Sequence, residues 1–142
     1  MTTTTEKKSL QLAVAAALAL GAPLEGGTFQ GIVTLRDGTH VAVSLLADKP
    51  GTRLSHGDAK AWAEGLDAEL PTRPVAAMLY ANAKAQFEPD WYWTADTLDQ
   101  DTGRKSDASY AWGCYFGYGY QNYYRKSYEG LAVAVRLIPL TA

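Results

Sequence analysis

The chain has 142 residues, a net charge of −2 at neutral pH, a pI near 5.6 and a single cysteine, Cys114. That length suits one domain that buries roughly 68–70% of its unfolded surface, so no covalent staple is needed. One cysteine excludes an internal disulfide, and no Cys/His spacing suggests zinc. With no basic run longer than two residues, the chain lacks the clustered positive face of a sequence-independent nucleic-acid binder.

Residues 1–8 are polar after the first and are expected to be a flexible N-terminus, followed by one domain over residues 9–142. "KKSLQLAVAAALALGAP" has the outline of a secretory signal: two lysines, an apolar run and a small-residue ending. It is shorter than the roughly 20 apolar residues that span a bilayer, and Gln11 interrupts it. The segment at residues 10–22 is therefore read as a strand or short helix packed on the domain, with Leu10, Leu12 and Val14 on one face if extended.

"FQGIVTLRDGTHVAVSLL" is the clearest local signal, two β-rich runs around Asp37-Gly38, a dipeptide that favours a type I′ hairpin turn. The second run alternates, placing Val41, Val43 and Leu45 opposite His40, Ala42 and Ser44. After the Pro-Gly loop the period changes to helical. "SHGDAKAWAEGLDAEL" offers Ser55 as N-cap with Asp58 three residues on, then Ala59, Trp62, Ala63 and Leu66 on one face. "LPTRPVAAMLYANAKAQF" offers Thr72 as N-cap and Pro74 in the first turn, where a missing N–H costs nothing. Pro89 closes that helix.

"WYWTAD" precedes a polar loop at residues 97–109. "YAWGCYFGYGYQNYYRKSYEG" then carries seven of the nine tyrosines and reads as a hairpin turning at Gly117-Tyr118-Gly119. "LAVAVRLIPL" is a last strand, with Leu131, Val133, Val135 and Leu137 facing a core. A hairpin, two helices and further strands indicate an α+β domain, two helices packed on a twisted, largely antiparallel sheet with long loops.

"SHGDAKAWAEGL", "LPTRPVAAMLYANAKAQF", "WYWTAD", "AWGCYFGYGYQNYYRKS" and "VAVRLI", in that order, resemble the Lcl C-terminal domain family, a C-type-lectin-like domain of unknown function common in phages and prophages. The resemblance spans residues 29–138 and rests most on "LPTR", "WYWT" and the spacing Trp112, Phe116, Gly119, Gln121, Lys126. It implies a C-type-lectin-like fold in which N- and C-terminal strands pair and an irregular loop region binds. Similar folds occur in retroelement-diversified phage receptor-binding proteins, adhesins and copper-dependent sulfatase-activating oxidases. The oxidases use paired cysteines, which Cys114 alone cannot supply. Where the family usually carries a Glu after "LPTR", this chain has Pro74 and Val75, so no role of that carboxylate transfers.

Chemistry is otherwise sparse. His40 and His56 stand apart from any nucleophile or carboxylate at a recognisable spacing, so no enzyme is expected and no catalytic residue is assigned. "EPD" at residues 88–90 is a helix stop rather than a calcium motif, and no cofactor or metal is expected. Strand alternation assigns Trp112, Cys114 and Phe116 to the core, with Trp62 and Trp91. It turns Tyr115 outward, with Tyr118 in the turn and either the Tyr120/Asn122/Tyr124 set or the Gln121/Tyr123/Arg125 set exposed.

Rigid aromatic area beside adaptable polar groups is the composition of a binding surface. The ligand-binding assignment is Tyr115, Tyr118, Tyr120, Asn122, Tyr123, Tyr124 and Arg125, bordered by Trp93 and Asp96. Packing against the loop or burial in a homo-oligomer compete with display. The functional expectation is a non-enzymatic phage or prophage binding protein for a protein or glycan ligand. It would act in the host cytoplasm, as an anti-defence protein binding a host protein or nucleotide signal, or on a virion or cell surface as a receptor-binding or adhesin module. No membrane span and no non-specific nucleic-acid binding are expected.

Overall fold

The computed structural model describes residues 9–142, so the expected flexible N-terminus at residues 1–8 lies outside the described residues. In chain order these residues form β1 (Leu10–Gln11), α1 (Leu12–Ala16), β2 (Pro23–Leu24), β3 (Gly27–Thr34), β4 (His40–Leu45), α2 (His56–Gly65), α3 (Arg73–Ala83), β5 (Trp91–Thr97), α4 (Leu98–Thr102), β6 (Tyr110–Tyr115), β7 (Gln121–Arg125) and β8 (Val135–Thr141). The architecture is mixed α+β, as expected, but the strands divide between two sheets instead of one. One has the order β1-β8-β4-β3-β2, the other β5-β6-β7. Every pair is antiparallel except β1–β8, where Leu10 lies beside Leu140.

The division has a local cause. After the β6–β7 hairpin the chain first runs along β5, where Leu131 C=O accepts from Trp93 N–H. It then crosses to the first sheet, where Val135 pairs with Leu45 of β4. One apolar run therefore serves both sheets, and Ala132, Val133, Ala134 and Val135 are all buried at the crossing.

The first hairpin forms where expected, but not through a type I′ turn. Gly38 N–H bonds Leu35 C=O, Leu35 N–H bonds Thr39 C=O, and only Gly38 has positive φ (87°). This is the three-residue loop, a type I turn closed by a left-handed glycine. The Asp37 carboxylate accepts from Thr39 N–H at 2.9 Å, which holds its pKa below the ordinary value and fixes Asp37 in the right-handed region.

The alternation read in β4 holds, but both of its faces are covered, so residues 41–45 are all buried. Val43 and Leu45 face α3, whereas Ala42 faces Phe29 and Ile138 under Leu10, Leu18 and Leu24. The N-terminal apolar segment thus supplies a lid for the second sheet face. It does so as a short strand followed by one helical turn, so Ala15 points inward and Leu12 and Val14 are about half exposed, opposite to the extended reading.

Both helix starts match their sequence signals. Ser55 Oγ accepts from Asp58 N–H at 3.3 Å, and Thr72 Oγ1 accepts from Val75 N–H at 3.4 Å. From α3, Val75, Ala76, Leu79 and Ala83 pack between the two sheets, against Val43, Val133, Tyr92, Cys114 and Phe116. From α2, Ala59 and Ala63 pack on Trp93, Ala111 and Ala134. Phe116 stacks flat on Phe87 at 4.0 Å and meets Tyr92 edge-on at 5.1 Å. Phe116→Ala is therefore expected to cost about 3–5 kcal/mol in urea unfolding, against about 1 kcal/mol for Ser55→Ala. Equal losses from the two would show that the aromatic stack does not anchor the second sheet.

Candidate functional site

The geometry of the tyrosine hairpin begins one strand away, in β5. Trp93 pairs with Gly113 and Thr97 with Ala111, so four steps along β5 match two along β6. Such a bulge re-aims side chains and backbone alike. Here it turns the segment Thr94-Ala95-Asp96 toward the two long helices. Thr94 C=O lies 2.8 Å from His56 Nε2; a carbonyl only accepts, so Nε2 carries the proton. Ala95 N–H donates to Pro71 C=O at 2.8 Å, and Asp96 Oδ2 accepts from Arg73 N–H at 2.7 Å. Asp96 is thus a buried cap on the start of α3 and not part of the border assigned to it.

Held by that cap, Arg73 lays its guanidinium 3.6 Å above the Trp112 ring. Its Nε donates to Gln121 Oε1 at 2.8 Å, and Gln121 Nε2 donates back to Arg73 C=O at 2.9 Å. Asp101 Oδ2 accepts from Trp112 Nε1 at 2.8 Å and stands 3.5 Å from Arg73 Nη1, while its other oxygen is 3.4 Å from Arg36. Trp112 is therefore not the core residue that alternation implied. It lies half-buried on the outer part of the β6 face that farther along carries Cys114 into the core. The ring ladder continues outward: Trp112 meets Tyr123 edge-on at 5.4 Å, Tyr123 meets Tyr110 at 5.8 Å, and Arg125 covers Tyr110 at 5.5 Å.

The opposite face of the same sheet is built on Trp91 and Trp93. Trp93 is fully buried, with Nε1 donating to Leu54 C=O at 2.8 Å, which corrects its assignment to the surface. Trp91 and Tyr124 stack at 4.3 Å across Gly113, where an added Cβ would stand 3.0 Å from the Trp91 ring and 3.2 Å from Tyr124. Tyr124 is thus half-buried packing, and Trp91 and Trp62 are half-buried residues lining the same cluster. Toward the turn, Tyr115 is 5.8 Å from Tyr118 and 5.2 Å from Tyr120. Tyr118 is 79% exposed, Tyr120 52% and Tyr123 45%. Asn122 and Arg125 are also exposed. At least one of the two alternating sets was expected to be exposed, and members of both are: Tyr120 and Asn122 are open on one face, Tyr123 and Arg125 on the other.

β7 is an edge strand. Bonds from Tyr115 N–H to Tyr120 C=O and from Lys126 N–H to Ser109 C=O fix the alternation, so the backbone groups of Gln121, Tyr123 and Arg125 point away from β6. Two of these are closed from within the chain. Asn122 Oδ1 accepts from Tyr123 N–H at 2.8 Å, and Arg125 C=O accepts from Tyr128 N–H at 2.9 Å.

The meeting of Arg73, Trp112, Gln121 and Asp101 is not legible in the sequence. Arg73 and Gln121 belong to the quoted motifs, but nothing in their spacing shows that they meet. Of the other candidates, His40 Nδ1 lies 2.8 Å from Thr34 Oγ1 on the exposed end of β4, and burial pushes the Cys114 thiol above its ordinary pKa. Among the described residues no group of three or more His, Cys, Asp or Glu is placed to hold a metal ion. No helix among them is long and apolar enough to cross a membrane.

His56 is buried edge-on against Trp93 at 5.1 Å, and burial lowers its pKa, aided by Lys126 and Lys60 and opposed by the Thr94 hydrogen bond. The unfolded chain then holds this proton more tightly than the folded one. Stability is complete above about pH 6.5, the ordinary histidine value, and falls as pH drops below it. Melting temperature is expected to fall between pH 7.5 and 5.5, with a smaller fall in His56→Phe; identical slopes would rule out His56 as the source. Compared with known proteins, the chain matches no family model and no curated protein.

Proposed function

We propose that this chain is a non-enzymatic binding domain of the phage or prophage type that recognises a protein or glycan ligand through the β6–β7 hairpin. The observation that carries the proposal is the exposure of Tyr118 and Tyr120 at the turn and of Tyr123 on the other face of the same hairpin, beside Asn122 and Arg125. Tyrosines displayed on a strand pair that is itself fixed to the core offer rigid contact area at low entropic cost. The Trp112 ladder extends that area with a cation at each end, Arg73 and Arg125. In this reading Trp93, Tyr124 and Asp96 support the surface from behind, and Tyr115 lies under Tyr118 and Tyr120.

The finer fold reading, C-type-lectin-like, belongs to the same proposal. It is supported by the β1–β8 pairing of chain ends and by a second small sheet carrying irregular loops beyond two helices. Asn122 and Tyr128 occupy two of the outward backbone groups of β7, so in this reading the displayed side chains carry recognition.

The test is affinity capture from host lysate and, separately, from cell envelopes, comparing wild type with Tyr118→Ala/Tyr120→Ala/Tyr123→Ala. The three side chains are exposed, so the variant is expected to melt as wild type does and to lose its partner by at least about tenfold. A partner from lysate assigns an anti-defence role inside the host; one from envelopes assigns receptor or adhesin binding. Equal capture by a folded variant would end the proposal.

A further inference from the structure

A second concavity lies away from the hairpin, where the loop after β4 faces the segment that follows α3. It encloses about 490 Å³, and Lys49, Thr52, Phe87, Glu88, Tyr92 and Leu131 line it. That volume is within the roughly 300–1,000 Å³ of ordinary small-molecule sites. None of these residues belongs to the displayed hairpin.

Its apolar wall is rigid. Phe87 is held flat against Phe116 at 4.0 Å and edge-on against Tyr92 at 5.0 Å, so a ring entering beside it meets a surface already fixed. Two polar groups stand at this wall. Tyr92 Oη accepts from Glu88 N–H at 3.0 Å, which leaves the phenol's own proton to donate. Lys49 Nζ lies 5.4 Å from the centre of the Phe87 ring and makes no ion pair with a described residue. Burial of part of the side chain against the cleft holds the Lys49 pKa below its ordinary value, and the nearby Glu88 carboxylate opposes that shift. Two donors above an apolar wall suit an anion that carries a ring. The Glu88 carboxylate on the rim repels a second negative charge, which disfavours phosphate esters.

We propose that this cleft binds a small aromatic monocarboxylate, its ring against Phe87 and Leu131 and its carboxylate held by Lys49 and the Tyr92 hydroxyl. The inference is independent of the hairpin's function.

The probe is phenylacetate, titrated into ¹⁵N-labelled protein, with phenethylamine as the control of like ring and opposite charge. Phenylacetate is expected to shift the amides of Lys49, Thr52, Glu88 and Leu131 saturably, and phenethylamine to leave them in place. Lys49→Met is expected to weaken phenylacetate by about tenfold, as loss of a charge-assisted bond does, and Lys49→Arg to retain most of the affinity. Lys49 is an exposed loop residue, so both variants are expected to melt as wild type does. The Tyr118→Ala/Tyr120→Ala/Tyr123→Ala protein is expected to bind phenylacetate unchanged, which separates this site from the hairpin. Absence of saturable shifts overturns the proposal, as does equal binding of phenethylamine or unchanged affinity in Lys49→Met.

Discussion

The two extra residues in β5 are the constraint on which the rest of the molecule depends. A regular strand would give its middle carbonyls and amides to β6; the bulge gives them to the helices instead. Thr94 holds the first turn of α2 through His56, and Ala95 and Asp96 hold the entry to α3 through Pro71 and Arg73. Three consecutive residues thus seat two helix N-termini, the ends at which backbone N–H groups otherwise lack partners. The same segment lies between Trp93 in the core and Leu98, also buried, so it cannot shift without moving both.

From that seat the hairpin inherits its orientation. Arg73 is fixed by its backbone before its side chain reaches out, and it then meets Trp112, Gln121 and Asp101 together. Each contact alone is weak: about 0.5–1 kcal/mol for an exposed cation over a ring, and about 0–1 kcal/mol for a surface ion pair. Their value is geometric, because together they define one angle between α3 and the β6–β7 pair. On the other face, the Trp91–Tyr124 stack over Gly113 does the same work with rings alone. The tyrosines at the turn are therefore carried on a support fixed from both sides.

What the sequence revealed follows the range of the forces involved. Ser55 with Asp58 and Thr72 with Val75 are contacts three residues apart, and both are legible in a linear reading. The Gly117-Tyr118-Gly119 turn is legible for the same reason, since Gly119 N–H bonds Tyr115 C=O. Trp93 and Trp112 have the opposite burial to that expected, because burial in this sheet depends on where α2 and α3 cover it: Trp93 lies under Ala59 and Ala63 of α2. Alternation correctly puts Trp112 and Cys114 on one face, but only Cys114 lies under α3. That the Ala42 and Ser44 face of β4 is also covered depends on the N-terminal segment returning over it, which no local pattern in β4 shows. Asp96 could not be seen as a cap, since its partner is 23 residues away and a bulge brings them together.

The partial closure of the β7 edge has a consequence for how this surface can change over generations. A flat, tyrosine-rich strand with open backbone groups is the kind of template on which chains stack into fibrils. Asn122 is at once a member of the displayed set and the group that occupies the Tyr123 amide. Tyr118, Tyr120 and Tyr123 occupy no backbone group of the edge, whereas an apolar side chain in place of Asn122 would leave the Tyr123 amide open. One amide side chain that binds its own backbone thus limits which residues this edge can carry.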